Sequence, residues 1–430
     1  MVFSSPTDPD VIVIGGGPSG SATATLLAQK GLKVELFERD HFPRFHIGES
    51  LIPHTYHVLK RLGMLPKMRA SHFTHKHSVQ FVTEHGKLSE PFYFHDHEPE
   101  EWSQTWQVRR AEFDHMLLTN AREHGVIVHE GARVLEVLFE GSRAVGIRAV
   151  GIRVKPEGQP ERTVKAKVIV DASGQSSLII DKLNLREWDP ELKKAAVWTY
   201  WKGAYRDTGK DAGATIVLQT KGKAGWFWYI PLHDDIISVG VVASNEYLFQ
   251  NRPTKDLEAL YFEEVERCPG LKPRLENATR CDIFRAQKEY SYRAKRAAGD
   301  GWVLVGDAFG FLDPLYSSGV LLALTSAGMA ADAIGDAIAA NDPSEAKLRV
   351  WEKGFVQGMD RMRRLVVEFY EGLNFGRLVR RNPDKKGLIT DVLIGNLFKD
   401  DVDELWPLID AMRADDAAKA AQLEAAGVGA

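Results

Sequence analysis

Three glycines, a carboxylate, an amine and a pair of indoles carry most of the chemistry legible in this 430-residue chain. Gly15, Gly17 and Gly20 form G-x-G-x-x-G directly after the β-branched run VIVI at 11–14. The first two let backbone approach a pyrophosphate, and the N-terminus of a following helix favours its negative charge. Glu38 closes the next apolar run, where its carboxylate suits ribose hydroxyls and would repel a 2′-phosphate. A tight turn without a ligand is the alternative. Lys76 stands in HFTHKHSVQF. If 72–81 form one strand, its amine shares a face with Thr74, Ser78 and Gln80, opposite Phe73, Val79 and Phe81, and that polar face is either solvent or a pocket. In GWFWYIP, 225–231, the period of two puts Trp226, Trp228 and Ile230 on one face and Phe227 and Tyr229 on the other, with Pro231 closing the run. Bulk on both faces fits a strand buried on both sides, or a partition between two compartments.

The flanking patterns indicate the scaffold. PSGSATATLLAQKG starts with proline and ends with glycine, as a helix does, and KVELFER follows as a second parallel strand, making a β-α-β unit. A helix is expected from near Arg110, then a strand VIVHEG, a hairpin over VLEVLFEGSRAVGIRAVGIRV and a strand KVIVDASG. AVGIR occurs twice in tandem, at 144–148 and 149–153, too short a repeat to stack and so read as a lengthened hairpin. Residues 197–243 alternate as antiparallel strands do, and WVLVGDAFGFLDP at 302–314 returns to the strand and glycine-turn pattern. From about 320 the chain reads as helical, ending in an Ala-rich tail expected to fray. A chain this long exceeds one ordinary core. The expected fold is α/β (α+β). A discontinuous Rossmann-like nucleotide domain takes 1–70, 105–190 and 286–340, an antiparallel sheet domain 71–104 and 191–285, and a helical region 341–430.

Composition removes several classes of function. With 55 basic against 59 acidic residues and a net charge of -4, no broad electropositive surface for nucleic acid is expected. The start MVFSSPTDPD lacks a basic segment followed by an apolar core, and no apolar run reads as long enough for a membrane span, so a cytoplasmic protein is expected. Cys268 and Cys281 do not make a disulfide framework and are read as free thiols. His72, His75, His77, His95 and His97 suggest a metal cluster, but strand geometry splits the first three between two faces and no carboxylate or thiol spacing completes a site, so no metal is expected. No Ser-His-Asp order or nucleophile elbow is visible.

Several segments together resemble the flavin-dependent halogenases of the FAD-dependent monooxygenase-like superfamily. VGDAFGFLDP resembles the family's second flavin motif, which implies that Asp307 and Gly310 lie at the cofactor. Arg110 in VRRAEFD matches its R-x-x-F-D position, with a surface ion pair as the alternative, and DASG at 171–174 looks like a third nucleotide signature. FPRFHIGESLIP, shared with geranylgeranyl-reductase-like flavoproteins, brings Ile47, Gly48, Glu49 and Ser50 to the same cofactor, beside Glu38 and Arg39. The implied fold is the two-dinucleotide-binding, p-hydroxybenzoate-hydroxylase-like one. Trp226, Trp228, Ile230 and Pro231 match the family's W-x-W-x-I-P motif, which separates flavin from substrate, and Lys76 falls about where its essential lysine follows the GES segment.

The resemblance implies FAD, used as FADH2, and chloride or bromide. A flavin hydroperoxide is attacked by halide, and hypohalous acid travels to Lys76, which either donates a hydrogen bond to it or forms a haloamine. Pro314, Ser317, Ser318 and Gly319 match the family's halide-binding turn; an ordinary helix cap by Ser317 or Ser318 fits the same residues. Tyr316 stands where tryptophan halogenases carry a glutamate, which points to a phenol or pyrrole, free or carrier-bound, rather than free tryptophan. With no nicotinamide site apparent, a separate flavin reductase is implied. A reductase or aromatic monooxygenase of the same fold is the alternative.

Overall fold

The computed structural model describes residues 8–142, 146–250, 252–373 and 375–425. Six strands form one sheet in the spatial order Ala298–Gly299, Trp302–Leu304, Val168–Asp171, Val11–Ile14, Val34–Phe37, Ile127–His129. All neighbours are parallel except the first pair. Every residue of Val11–Ile14 and Val168–Asp171 is buried, as unbroken β-branched runs require when both faces of a sheet are covered. Helix Pro18–Gln29 packs against helix Arg110–Glu123 and against helix Gly319–Ala339.

A nine-stranded sheet stands beside it. Its order is Gly310–Phe311, Arg285–Ala294, Arg186–Lys202, Ile236–Ser244, Gly225–Pro231, Thr215–Gln219, Ser78–Val82, Phe92–Tyr93, with Thr279–Arg280 alongside Arg186–Lys202. The antiparallel alternation expected over 197–243 is present, and one parallel pair, Thr215–Gln219 with Ser78–Val82, adds the earlier segment. One face of this sheet joins the main core. The other, with Phe227, Tyr229 and Val241, forms a second core under helix Leu257–Glu266.

Two expectations change. Residues 72–81 are not one strand: Thr74–Lys76 pairs with Thr105–Gln107, whereas Ser78–Val82 enters the nine-stranded sheet. The break falls at His77, whose carbonyl accepts from Phe94 N instead of a ladder partner. Gly319–Ala339 is long and apolar enough to cross a membrane by length and composition, contrary to the expectation that no run approaches that length. Thirteen of its 21 residues are buried, so its apolarity fills the core against Pro18–Gln29. Helix Leu405–Ala425 enters the Ala-rich segment, in keeping with the high helix propensity of alanine, and the end of that segment, 426–430, lies outside the described residues. The hairpin pairs Ala132–Ser142 with Gly146–Pro156, and the first residues of the AVGIR repeat, 144–145, lie outside the described residues. Both cysteines are free, Cys268 buried and Cys281 exposed.

Candidate active site

A groove of about 510 Å³ runs between the two sheets, within the size range of small-molecule sites. Gly15, Gly17, Glu38 and Arg39 line one end. The three motif glycines have different reasons to be glycine. A Cβ on Gly20 would lie 1.9 Å from the Gly15 carbonyl, and one on Gly15 2.4 Å from the Ala172 carbonyl, so both permit close backbone packing. A Cβ on Gly17 would meet only Arg44 at 3.5 Å, so this glycine leaves its space to the groove, as an approaching phosphate requires. Glu38 Oε2 accepts from Gly16 N at 2.7 Å and its Oε1 from Asp40 N at 2.9 Å, which fixes the carboxylate against the turn. These features fit a dinucleotide. Asp171 of DASG is a structural knot, accepting from Ser173 N, Ser173 Oγ and Ile179 N, while Ala172, Ser173 and Gly174 line the groove.

Arg110 starts its helix and is buried. Asp114 of the same R-x-x-F-D motif takes its Nε at 2.7 Å and Nη2 at 3.0 Å, while Nη1 donates to the Ile47 carbonyl at 2.6 Å. The motif therefore pins the GES segment to the helix. Glu49 accepts from the Tyr200 hydroxyl at 2.8 Å, and burial pushes its carboxyl up to about 7. Asp307 lines the groove, its pKa raised by desolvation to about 6 against the opposing pull of Arg110. Gly310 stands off the groove, packed between the Tyr292 carbonyl and Met359.

Trp226, Trp228 and Ile230 line the far wall, and Phe227 and Tyr229 sit in the second core, as period two dictates. Pro231 ends the strand against Ile237. The two indole centroids are 6.4 Å apart. Trp228 Nε1 donates to Ser238 Oγ at 3.1 Å, and its ring occupies space that a Cβ on Gly240 would enter at 2.3 Å. Trp226 Nε1 donates to the Tyr370 hydroxyl at 2.9 Å, which donates to Asp313 Oδ2 at 3.0 Å. Asp313 also caps the turn at Leu315 N. Pro314, Ser317 and Gly319 line the groove beside this relay, Ser317 with φ +57°. Ser318 is buried, makes no side-chain cap bond, and its Oγ has no hydrogen-bond partner, so the ordinary side-chain cap is not formed.

Lys76 is 2% exposed, so its polar face is interior and not solvent. Its Nζ donates to Ser50 Oγ at 2.8 Å and to the Leu51 carbonyl at 3.1 Å, and lies 5.7 Å from the centre of the Phe94 ring. Ser50 Oγ is 2.8 Å from Thr215 Oγ1, to which Gln107 Nε2 donates at 2.9 Å. Ser50 and Thr215 belong to the groove wall, which places the amine one hydrogen bond behind it. Among the described residues no carboxylate pairs with Lys76. Burial alone pushes its pKa down to about 7. On the paired strand, Thr105 shares its face and has a buried hydroxyl without a hydrogen-bond partner.

The structure thus gathers the glycine turn, Arg110, Asp307, the GES segment, the indoles and the Pro314–Gly319 turn on one groove, with Lys76 directly behind it. The tertiary relay Trp226, Tyr370, Asp313 and the chain Lys76, Ser50, Thr215, Gln107 were not foreseen. Asp313 lay within a quoted motif; Tyr370 and Gln107 had no local signal. Of the five sequence-noted histidines, His72 meets Glu112 and His233, and His97 meets Asp391.

A family model described as tryptophan halogenase matches residues 10–106 and 84–374. The chain is 34% identical over 394 residues to a 1H-pyrrole-2-carbonyl peptidyl-carrier-protein brominase of Pseudoalteromonas luteoviolacea, covering 90% of this chain and 92% of that one. It is 34% identical over 368 residues to a tryptophan 2-halogenase of Chondromyces crocatus, covering 85% and 68%. Among solved structures it resembles the flavin-dependent brominase Bmp2, with a TM-score of 0.84 at 30% identity over 96% of this chain and 100% of that one. The myxobacterial chondrochloren halogenase CndH gives 0.76 at 32%, over 91% and 96%.

Proposed function

The chain belongs to the tryptophan halogenase family of flavin-dependent halogenases, and from that premise we propose that it halogenates an electron-rich aromatic through Lys76, using hypohalous acid formed from O2 and chloride or bromide at the expense of FADH2. The observation that carries this reading is a lysine amine buried one hydrogen bond behind a groove walled by two indoles. In this reading residues 1–70, 105–190 and 286–340 form a Rossmann-like FAD domain of the p-hydroxybenzoate hydroxylase type. Residues 71–104 and 191–285 supply the substrate side, and 341–430 brace both.

In the groove, reduced FAD would supply two of the four electrons that O2 takes up, halide giving the other two to leave hypohalous acid and water. Gly15 and Gly17 would seat its pyrophosphate, with Gly20 allowing the helix to pack against the Gly15 carbonyl; Glu38 and Arg39 would hold its adenosine end and Asp307 its ribitol hydroxyls. Arg110, bonded to the Ile47 and Gly48 carbonyls, would fix the GES segment for the ring system, while Gly310 packs off the groove against Tyr292. In the Pro314–Gly319 turn, the N–H groups of Ser318 and Gly319 and the unpartnered Ser318 hydroxyl would hold halide, while Pro314, whose carbonyl takes the Ser317 N–H, fixes the turn. The indoles keep flavin and aromatic apart, and Ser50 stands between groove and amine.

Burial lowers the Lys76 pKa to about 7, which makes the free amine accessible near neutral pH. A free amine exchanges one hydrogen for halogen from hypohalous acid, releasing water, then passes that halogen to a ring carbon, whose displaced proton returns to the nitrogen. We favour this haloamine branch over simple hydrogen-bond donation. The substrate class is a pyrrole or phenol activated by its own heteroatom, since Tyr316 offers no carboxylate. Near end-to-end correspondence with the carrier-protein brominase favours a carrier-bound pyrrole over free tryptophan. A separate reductase supplies the reduced flavin. The test is mass spectrometry of a panel of free and carrier-bound pyrroles, phenols and tryptophan with bromide, O2 and a flavin reductase. The expected result is a bromine isotope pattern that disappears without bromide; turnover indifferent to halide would instead identify a reductase or monooxygenase.

A further inference from the structure

Outside the groove, three segments far apart in sequence bring metal-ligand types to one point. His72 precedes strand Thr74–Lys76, Glu112 lies in the first turn of helix Arg110–Glu123, and His233 follows strand Gly225–Pro231. His72 Nε2 is 3.0 Å from Glu112 Oε2, and His233 Nε2 is 3.1 Å from Glu112 Oε1. One ligand atom from each residue lies within 4.8 Å of the others. Two imidazoles bonded to one ion at about 2.0–2.1 Å, with a carboxylate at about 2.0–2.2 Å, would stand about 3.4 Å apart in a tetrahedral arrangement. The observed separations need only small adjustment. We propose that His72, Glu112 and His233 bind a divalent transition-metal ion of the zinc type.

Two further observations support a ligand here. His233 is 8% exposed and aims Nε2 at the cluster, so its position is fixed by packing and not by solvent. Asp234, held at φ +56°, places Oδ2 3.7 Å from His233 Nε2 and can supply a fourth ligand. Arg109 opposes the ion, with Nη1 4.0 Å from Glu112 and 3.9 Å from Asp234, but it is one-third exposed and free to swing outward. The second cluster, His97, Glu98 and Asp391, has one imidazole and carries Lys399 3.6 Å from Asp391, so it is the weaker cation site.

The location gives the ion a role. His72 is four residues before Lys76, Glu112 two after Arg110, and His233 two after Pro231. An ion at this point ties together the three segments that carry the amine, the groove arginine and the indole wall. It acts as a staple and does not touch the groove.

Untagged full-length protein carrying its flavin, freed of metal with a chelator, is titrated with Zn²⁺ by calorimetry and with Co²⁺ by visible absorption. One equivalent is expected to bind, with a Co²⁺ spectrum of low coordination number and a rise in Tm. Affinity is expected to fall at least about tenfold in His72→Ala and in Glu112→Gln, and to rise in Arg109→Ala, with flavin content as the folding control. His72 is two-thirds exposed, so its removal leaves the core intact. Absence of saturable uptake by the parent protein, or equal affinity in the His72 and Glu112 variants, overturns the proposal. Neither outcome bears on halogenation, which is read separately as brominated product.

Discussion

The two faces of strand Gly225–Pro231 are both buried and both aromatic, yet they do different work. Phe227 and Tyr229 fill a closed core beneath helix Leu257–Glu266, where Phe227 meets Tyr261 edge to face at 5.6 Å. Trp226 and Trp228 face the groove, and each ties its N–H to a partner: Tyr370, which bonds Asp313 beside the Pro314–Gly319 turn, or Ser238, which bonds Glu49 of the GES segment. Burial and residue type therefore do not distinguish a wall from a core. The distinction lies in what stands opposite: packed apolar side chains on one face, a cavity ringed by fixed polar groups on the other.

The sharpest break in the comparison comes from behind the groove face. Lys76→Ala is expected to lower brominated product by at least about 10³-fold, toward the upper end of what one positioned group contributes, while flavin content stays unchanged. Product surviving this change would leave the indoles as packing only. Lys76 also carries a stability cost. Between pH 7 and its unfolded pKa near 10.5, the unfolded chain holds a proton that the folded one has released, so stability falls as pH drops through that window and levels off below about 7. Lys76→Met should therefore unfold at higher denaturant at pH 7, by on the order of a few kcal/mol, while being inactive.

On the closed face, Phe227→Ala should cost about 3–5 kcal/mol in denaturant unfolding, as truncation of a buried aromatic does, with product per bound flavin unchanged at low temperature. A loss of chemistry without loss of stability would erase the difference between the faces. Next in size is the pH profile. If Lys76 reacts as free amine, kcat rises about tenfold between pH 6 and 8 around its pKa of about 7; a fall over the same range assigns it the hydrogen-bond donor role. The smallest effect is expected from Trp226→Phe, which keeps the bulk and removes the donor to Tyr370. It should cost about 1 kcal/mol in stability, the worth of one hydrogen bond, and should raise the free hypohalite captured by an external trap relative to product.

Periodicity and glycine spacing made part of this legible. The parallel unit around Gly15, the helix at Arg110 and the face assignment of residues 225–231 depend on neighbours within one element, where the side-chain period is fixed by backbone geometry. The break at His77 was invisible because a strand's choice of sheet depends on which edges are available, not on its own pattern. Gly319–Ala339 escaped notice because small residues conceal the apolar stretch that the helix buries. Tyr370, Gln107 and the His72, Glu112 and His233 cluster lie tens to more than a hundred residues from their partners, and no local spacing encodes such meetings.

By itself, the order of residues determined the local conformations and the chemical types on hand: turns that only glycine fits, a strand with two bulky faces, a lysine without a nearby acid in sequence. Only tertiary packing decided that this lysine is dry, that Ser50 joins it to the groove, and that one aromatic face meets a cavity while the other meets a helix. The reason is dielectric as much as geometric. A side chain's protonation and hydrogen-bonding capacity depend on how much water its neighbours exclude, and those neighbours come from every part of the chain.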